Sequence, residues 1–195
     1  MVRLLETQGI RDSPVLSAMG AVERHLFIPG YRFRFPRDLY GNYPCAIGHK
    51  QTISQPYIVA YMLEKLKLTA GERVLEIGTG SGYAAAVMDE MGVEVFTIEI
   101  LHELALHARE LLSSRVHLLE GNGYSGWPEM APFDAVIVSC APQEIPQILV
   151  DQLKENGRMI LPVGNFFQRL IVLIKNNGEV IVHEDLPVRF VPMVQ

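Results

Sequence analysis

The chain has 195 residues, 49% of them hydrophobic and 20% charged, with a formal net charge of -5. That length suits one domain with a sizeable core, and that composition excludes wholesale disorder. With an acidic balance and no Lys/Arg run longer than two residues, a phosphate-tracking surface has little support.

The amino terminus, MVRLLETQGI, carries Glu6 and lacks the apolar stretch of a signal peptide. Ser13-Pro14 predicts a helix start, with Ser13 as N-cap and Pro14 in the first turn. Val15, Leu16, Met19, Val22 and Leu26 then recur at helical spacing up to Phe27-Ile28-Pro29-Gly30. Residues 31–52 show no clear period and read as a long loop, of the kind that is usually functional. Arg32, Arg34 and Arg37 lie in it, as a solvated rim or as an anion site. Gln51-Thr52-Ile53-Ser54-Gln55-Pro56-Tyr57 leads into a helix marked by Tyr57, Ala60, Tyr61, Leu63, Glu64 and Leu66. By residue type Ser54 is expected to cap that helix.

From Arg73 onward strands and helices alternate. Strands are expected at Arg73–Ile77, Val93–Ile98, Val116–Leu119, Phe133–Val138 and Gly157–Pro162. Helices are expected at Gly82–Met91, His102–Leu112 and Ile145–Leu153. This rhythm predicts an α/β fold with a doubly wound, mostly parallel sheet. Arg169–Lys175 and Val180–His183 flank Asn176-Asn177-Gly178-Glu179, which predicts a closing antiparallel hairpin. No stretch approaches the ~20 apolar residues of a membrane-spanning helix. Cys45 and Cys140 are too few for a disulfide framework or a metal knuckle, and fit free thiols in a reducing compartment. A cytoplasmic protein is the expectation. The six histidines are scattered, His102 and His107 do not share a helix face, and no metal site is expected.

The chain is organised around Val74–Tyr83, VLEIGTGSGY. A strand that turns into a helix on Gly78, Gly80 and Gly82 offers bare backbone N–H groups to a ligand. The spacing is E-x-G-x-G-x-G; a dinucleotide site would need a third glycine where Tyr83 stands, and a P-loop would need G-K-[ST]. Glu76 would repel a pyrophosphate but suit a cation or an amino group, as S-adenosylmethionine presents. Glu99 closes the following strand, where an acid takes ribose hydroxyls. A glycine turn that serves only packing is the bland alternative, and the two acids weigh against it. Gly121-Asn122-Gly123 sits where a loop could reach an adenine edge, or is a mere turn.

Together these stretches resemble the protein-L-isoaspartate (D-aspartate) O-methyltransferases, from His25-Leu26-Phe27 to Val188-Arg189-Phe190-Val191-Pro192. Ile47-Gly48-His49 with Gln51–Tyr57, VLEIGTGSGY, Gly126-Trp127-Pro128 with Ala131–Asp134, and Gln152-Leu153-Lys154 carry the likeness. The resemblance implies a single domain with a seven-stranded sheet of the S-adenosylmethionine-dependent methyltransferase type. Residues 1–54 would form an N-terminal helix and substrate-side loop, and 55–195 the Rossmann-like cofactor core. The implied activity is methylation of the α-carboxylate of L-isoaspartyl and D-aspartyl residues in damaged proteins, which initiates their repair. Ser54 would act at the active site. Ile53, Glu76, Gly78, Thr79, Gly80, Ser81, Gly82, Glu99, Asn122 and Gly123 would hold the cofactor, with no metal. Ile47, Thr52, Val188, Arg189 and Phe190 would meet the substrate. Damaged proteins and peptides are the implied partners, with no nucleic acid, no membrane and a monomeric state. The alternative is a methyltransferase for another substrate, or a family member that binds without catalysis.

Several residues depart from the family pattern. Asn42 stands for an aspartate, Ala46 for a proline, Lys50 for a glycine, and Ser139-Cys140-Ala141 for Thr-Ala-Ala. Asn122 replaces an aspartate, so cofactor affinity is expected to be weaker by roughly 1 kcal/mol, since a charged hydrogen bond is about twice as strong. Asn42 and Lys50 are expected to alter the loop over the substrate.

Overall fold

The computed structural model describes residues 1–33 and 35–195. Helices α1 (Val2–Thr7) and α2 (Ser13–Ala21) open the chain, the first of them unforeseen. The N-cap of α2 is Asp12, whose carboxylate accepts from Val15 N at 3.0 Å, so Ser13 is already helical. The helix stops at Ala21, and the apolar spacing out to Leu26 continues only as a short 3-10 turn, Arg24–Phe27.

The 31–52 stretch is more ordered than its lack of period predicts. It holds a 3-10 turn at Tyr31–Phe33, helix α3 (Pro36–Tyr40), and strands β1 (Cys45–Gly48) and β2 (Gln51–Ile53), which pair antiparallel. Elements this short lack the length to show a hydrophobic period. His49 and Lys50, with φ of 50° and 59°, make the tight turn between the two strands. Arg32 is exposed beside the Tyr31 hydroxyl at 3.4 Å; Arg34 and the side chain of Arg37 lie outside the described residues.

Helix α4 (Pro56–Leu66) precedes the main sheet. Then follow β3 (Arg73–Ile77), α5 (Tyr83–Glu90), β4 (Glu94–Glu99), α6 (His102–Leu111), β5 (His117–Glu120), β6 (Phe133–Val138) and α7 (Gln147–Asp151). Strands β7 (Leu153–Gly164), β8 (Gln168–Asn176) and β9 (Glu179–Val188) close the chain. The helix expected at Ile145–Leu153 is cut to five residues because β7 begins at Leu153. The seven strands run in the order β5-β4-β3-β6-β7-β8-β9. The first five are parallel, and β8 and β9 are antiparallel to their neighbours, as the alternation and the Asn177-Gly178 turn predict.

Strand β3 lies at the middle of the five parallel strands because the chain runs to β4 and β5 on one side, then crosses to β6 and β7 on the other. Ligands of such sheets bind where the direction of winding reverses, at the carboxyl ends of the strands. Alternate residues of the central strands feed two cores, as strands covered on both faces must. Val74, Val95, Ala135 and Ile137 face a core that also takes Leu5, Met19 and Leu63 from the amino-terminal helices. Leu75, Phe96, Val136 and Met159 face the other, with Leu149 of α7 and Met193 of the tail.

Candidate active site

At the carboxyl end of β3 a cavity opens, where open α/β sheets place their ligands. Gly78, Thr79, Gly80 and Ser81 line it, with Glu76 and Glu99 as its acidic groups and Thr52, Ile53 and Ser54 also in its lining. Gly78 and Gly80 have φ of 91° and 56°, the left-handed conformation that lets the chain turn off the strand at once. A side chain on Gly80 would press on Ile47 Cδ1, 3.4 Å away, so Ile47 packs against the loop instead of lining the cavity. Gly82 points away too: an added Cβ would meet Leu112 at 3.2 Å and Ala108 at 3.4 Å. Its glycine serves helix packing.

The two acids are held differently. Glu99 accepts Gly80 N at 2.7 Å and Leu101 N at 3.0 Å, which binds the glycine loop to the end of β4. Glu76 is 1% exposed, and its Oε2 accepts the Thr97 hydroxyl at 2.6 Å, which in turn meets Thr79 Oγ1 at 2.7 Å. Its Oε1 is buried with no protein partner. Burial lifts the Glu76 carboxyl to about 8, the Glu99 charge adding to the rise and the Thr97 hydrogen bond opposing it. An orphaned acceptor in a cavity wall suits a ligand that brings a cationic donor. Cys140 forms part of the same wall, and burial pushes its thiol up to about 12, so it stays neutral.

Asn122 does not line the cavity, although its neighbour Gly123 does. Its Oδ1 accepts Tyr124 N at 2.9 Å and caps the 3-10 turn Gly123–Ser125. The carbonyl expected to reach an adenine is therefore engaged by backbone. Gly123 is glycine for space: an added Cβ would lie 2.4 Å from Ile77 Cγ2 and 3.2 Å from Met193 Cε.

Ser54 is not the cap of α4. The N-cap is Gln55, with no side-chain bond of its own, and Asn42 supplies the missing acceptor: its Oδ1 takes Tyr57 N at 2.9 Å. Asn42 also donates to Gln8 Oε1 at 3.1 Å, which ties the amino-terminal segment to the site. Lys50 lies exposed in the β1–β2 turn. Ser54 lines two cavities. The second is lined by Pro44, Tyr57, Val188, Arg189 and Phe190. Thr52, Ser54, Ser139 and Val191 belong to both linings.

Two contributors escaped the sequence reading. Arg24 is wholly buried; its Nη2 donates to Ser54 O at 2.9 Å and its Nε to Leu39 O at 3.2 Å. Its guanidinium lies 5.0 Å from the centre of the Tyr83 ring, at the start of α5. Burial lowers its proton affinity, with Tyr83 and Cys45 opposing. Arg24 thus clamps the Ser54 backbone to the cofactor-side helix. The second is the tail past the expected Val188–Pro192 segment. Ala141 N donates to Val191 O at 2.8 Å and Met193 N to Ala141 O at 2.9 Å, which carries Pro192, Met193 and Val194 into the cavity wall.

The profile of the protein-L-isoaspartate(D-aspartate) O-methyltransferase (PCMT) family matches residues 1–195. The chain belongs to that family. A protein-L-isoaspartate O-methyltransferase from Gloeobacter violaceus is 49% identical over 98% of this chain and 95% of its own length. The Opitutus terrae enzyme of the same name is 48% identical over 98% of the chain and 83% of its own. Among solved structures, a protein-L-isoaspartate O-methyltransferase superposes with a TM-score of 0.89 at 27% identity, covering all of this chain and 65% of the other. A Plasmodium falciparum chain, described as a candidate enzyme of this family in complex with S-adenosyl-L-homocysteine, gives a TM-score of 0.87 at 29% identity. It covers 99% of this chain and 96% of its own. For a family member, the glycine loop, the orphaned Glu76 oxygen and the Glu99 carboxylate are a donor set that fits a cationic, phosphate-free nucleoside. Among the described residues no cluster of His, Cys, Asp and Glu could hold a metal ion.

Proposed function

We propose that this protein transfers a methyl group from S-adenosylmethionine to the α-carboxylate of L-isoaspartyl and D-aspartyl residues in damaged proteins, initiating their repair. Its family membership supports that reaction. One geometric observation carries the assignment of roles: Thr52, Ser54 and Ser139 stand on the wall shared by the acid-lined cavity and the outer cleft. A group entering from the cleft meets these hydroxyl-bearing residues where the two cavities join.

S-adenosylmethionine, when bound, supplies a sulfonium-activated methyl group. Gly78, Thr79, Gly80 and Ser81 would offer it backbone, Glu76 would take its cationic end and Glu99 its ribose, with Ile53 and Gly123 beside them. The substrate enters along Val188, Arg189 and Phe190. Its carboxylate, with a pKa near ~4, is ionised at neutral pH and is already the nucleophile. No general base is required of the chain. What remains is alignment and exclusion of water, and a hydroxyl donor does the first. Ser54 is well suited because Arg24 fixes its main chain and Asn42 relieves it of capping. Two free thiols fit a cytoplasmic setting, and among the described residues no helix is long and apolar enough to cross a membrane.

The test is incubation with methyl-labelled S-adenosylmethionine and a matched pair of peptides, one isoaspartyl and one aspartyl. Base-labile label on the isoaspartyl peptide alone is expected. Equal labelling of both, or of neither, overturns the reading.

A further inference from the structure

The tip of the β7–β8 hairpin carries Phe166 and Phe167, which are 95% and 93% exposed. Hairpin tips are ordinarily built of Gly, Asn, Asp and Ser, and two adjacent phenylalanines in water gain nothing for the fold. The tip is nonetheless firmly shaped. Gly164, with φ 123°, folds so closely on the loop that an added Cβ would lie 2.1 Å from Phe167 O. Gly164 N also donates to Pro142 O at 3.0 Å.

The residue after Phe167 locks the tip to the outer cleft. Gln168 is buried, accepts Phe190 N on Oε1 at 2.6 Å and donates to Phe190 O from Nε2 at 3.1 Å. Phe190 lines the cleft together with Val188, Arg189 and Ser54. Because β7 runs parallel to β3 through β6, the tip leaves the same edge of the sheet as the glycine loop. Consecutive Cα atoms are ~3.8 Å apart and Gln168 spans the remaining gap, so the rings stand at most roughly 15 Å from Phe190. An extended polypeptide advances ~3.3 Å per residue and covers that distance in about three to five residues.

We propose that Phe166 and Phe167 form a docking tip for the substrate polypeptide, taking an apolar side chain about three to five residues from the isoaspartyl position. The occupant is an extended segment of the damaged protein, and the Gln168–Phe190 clasp joins the tip to the cleft. This rests on the methyl-transfer reading above. Apolar contact at the tip favours locally unfolded chains, which expose side chains that folded proteins bury.

Two isoaspartyl peptides test this, alike except that residues three to five places to either side are Leu and Phe in one and Ser in the other. Initial rates are measured for the native protein and for F166S/F167S, whose substitutions lie in solvent and leave the core intact. The native protein should show a KM lower by on the order of tenfold for the apolar peptide. In the variant that preference should vanish, with kcat and S-adenosylhomocysteine binding unchanged. Equal KM values for the two peptides with the native protein, or a preference surviving in the variant, overturn the docking role. Flotation of the native protein but not the variant with phosphatidylcholine vesicles, with peptide KM unmoved, overturns it in favour of a membrane contact. Concentration-dependent sedimentation lost in the variant, with KM unmoved, overturns it in favour of self-association. Methylation of neither peptide by the native protein defeats the activity reading itself, and the docking role with it.

Discussion

Replacing Glu76 by Gln probes the acid wall of the cofactor cavity in two ways. The side chain is 1% exposed, with one oxygen on the Thr97 hydroxyl and the other without a protein partner. Burial, reinforced by the Glu99 charge and opposed by Thr97, raises its carboxyl from 4.5 to about 8. A value raised in the folded state means that the fold retains the proton. The stability present below about 4.5 is therefore lost as pH rises through about 8, and no further loss follows from this group above it. At ~1.4 kcal/mol for each tenfold change in proton affinity, the loss is about 3 kcal/mol at pH 7 and approaches 5 at high pH. The amide has the same shape and no such slope. Urea unfolding of ligand-free E76Q should show it more stable than the native protein at pH 8.5 by several kcal/mol, and within ~1 kcal/mol of it at pH 5. Calorimetry should show the opposite for ligand: S-adenosylhomocysteine binds E76Q on the order of tenfold to a hundredfold more weakly, because the amide cannot offset a cationic amino group. Native binding at pH 7 should release a proton, seen as a heat that changes with the buffer's ionisation enthalpy. Identical pH slopes for both proteins would refute the buried-acid argument, and undiminished ligand affinity in E76Q would remove Glu76 from the cofactor site.

Ser54→Ala should lower kcat by on the order of tenfold to a hundredfold, the worth of a hydrogen bond to a charged group, and leave S-adenosylhomocysteine affinity unchanged. Equal loss of both in rate and calorimetric measurements would contradict an orienting role. Asn42→Ala should cost about 1 kcal/mol in denaturant unfolding as the α4 cap is lost, whereas Ser54→Ala should cost little by the same measure. Gly123→Ala drives a methyl into Ile77 and Met193 and should cost about 1–3 kcal/mol with weaker cofactor binding; unaltered stability would mean the tail yields freely. Arg24→Met should reduce kcat more than cofactor affinity, because Ser54 O loses its donor, and a core variant such as Leu5→Ala with a matched Tm should keep its kcat.

The sequence by itself determined the features whose physics is local. VLEIGTGSGY declares a strand, a left-handed turn and a helix within ten residues, and the acids at Glu76 and Glu99 follow from the ends of two successive strands. Alternating β and α periods determined the parallel sheet, and Asn177-Gly178 the closing hairpin. The tertiary structure decided everything that depended on partners distant along the chain. Ser54 looked like a cap because serine caps helices, yet Asn42, fifteen residues from Tyr57, does that work. Asn122 fitted either an adenine contact or a turn, and its carbonyl accepts Tyr124 N to cap one. Gly82 looked like ligand-binding loop, yet it makes room for Leu112. Arg24 reaches Ser54 across 30 positions, and the tail reaches the cavity only by pairing with Ala141. A side chain's type limits the hydrogen bonds it can make, but burial and the neighbours brought by the fold select among them.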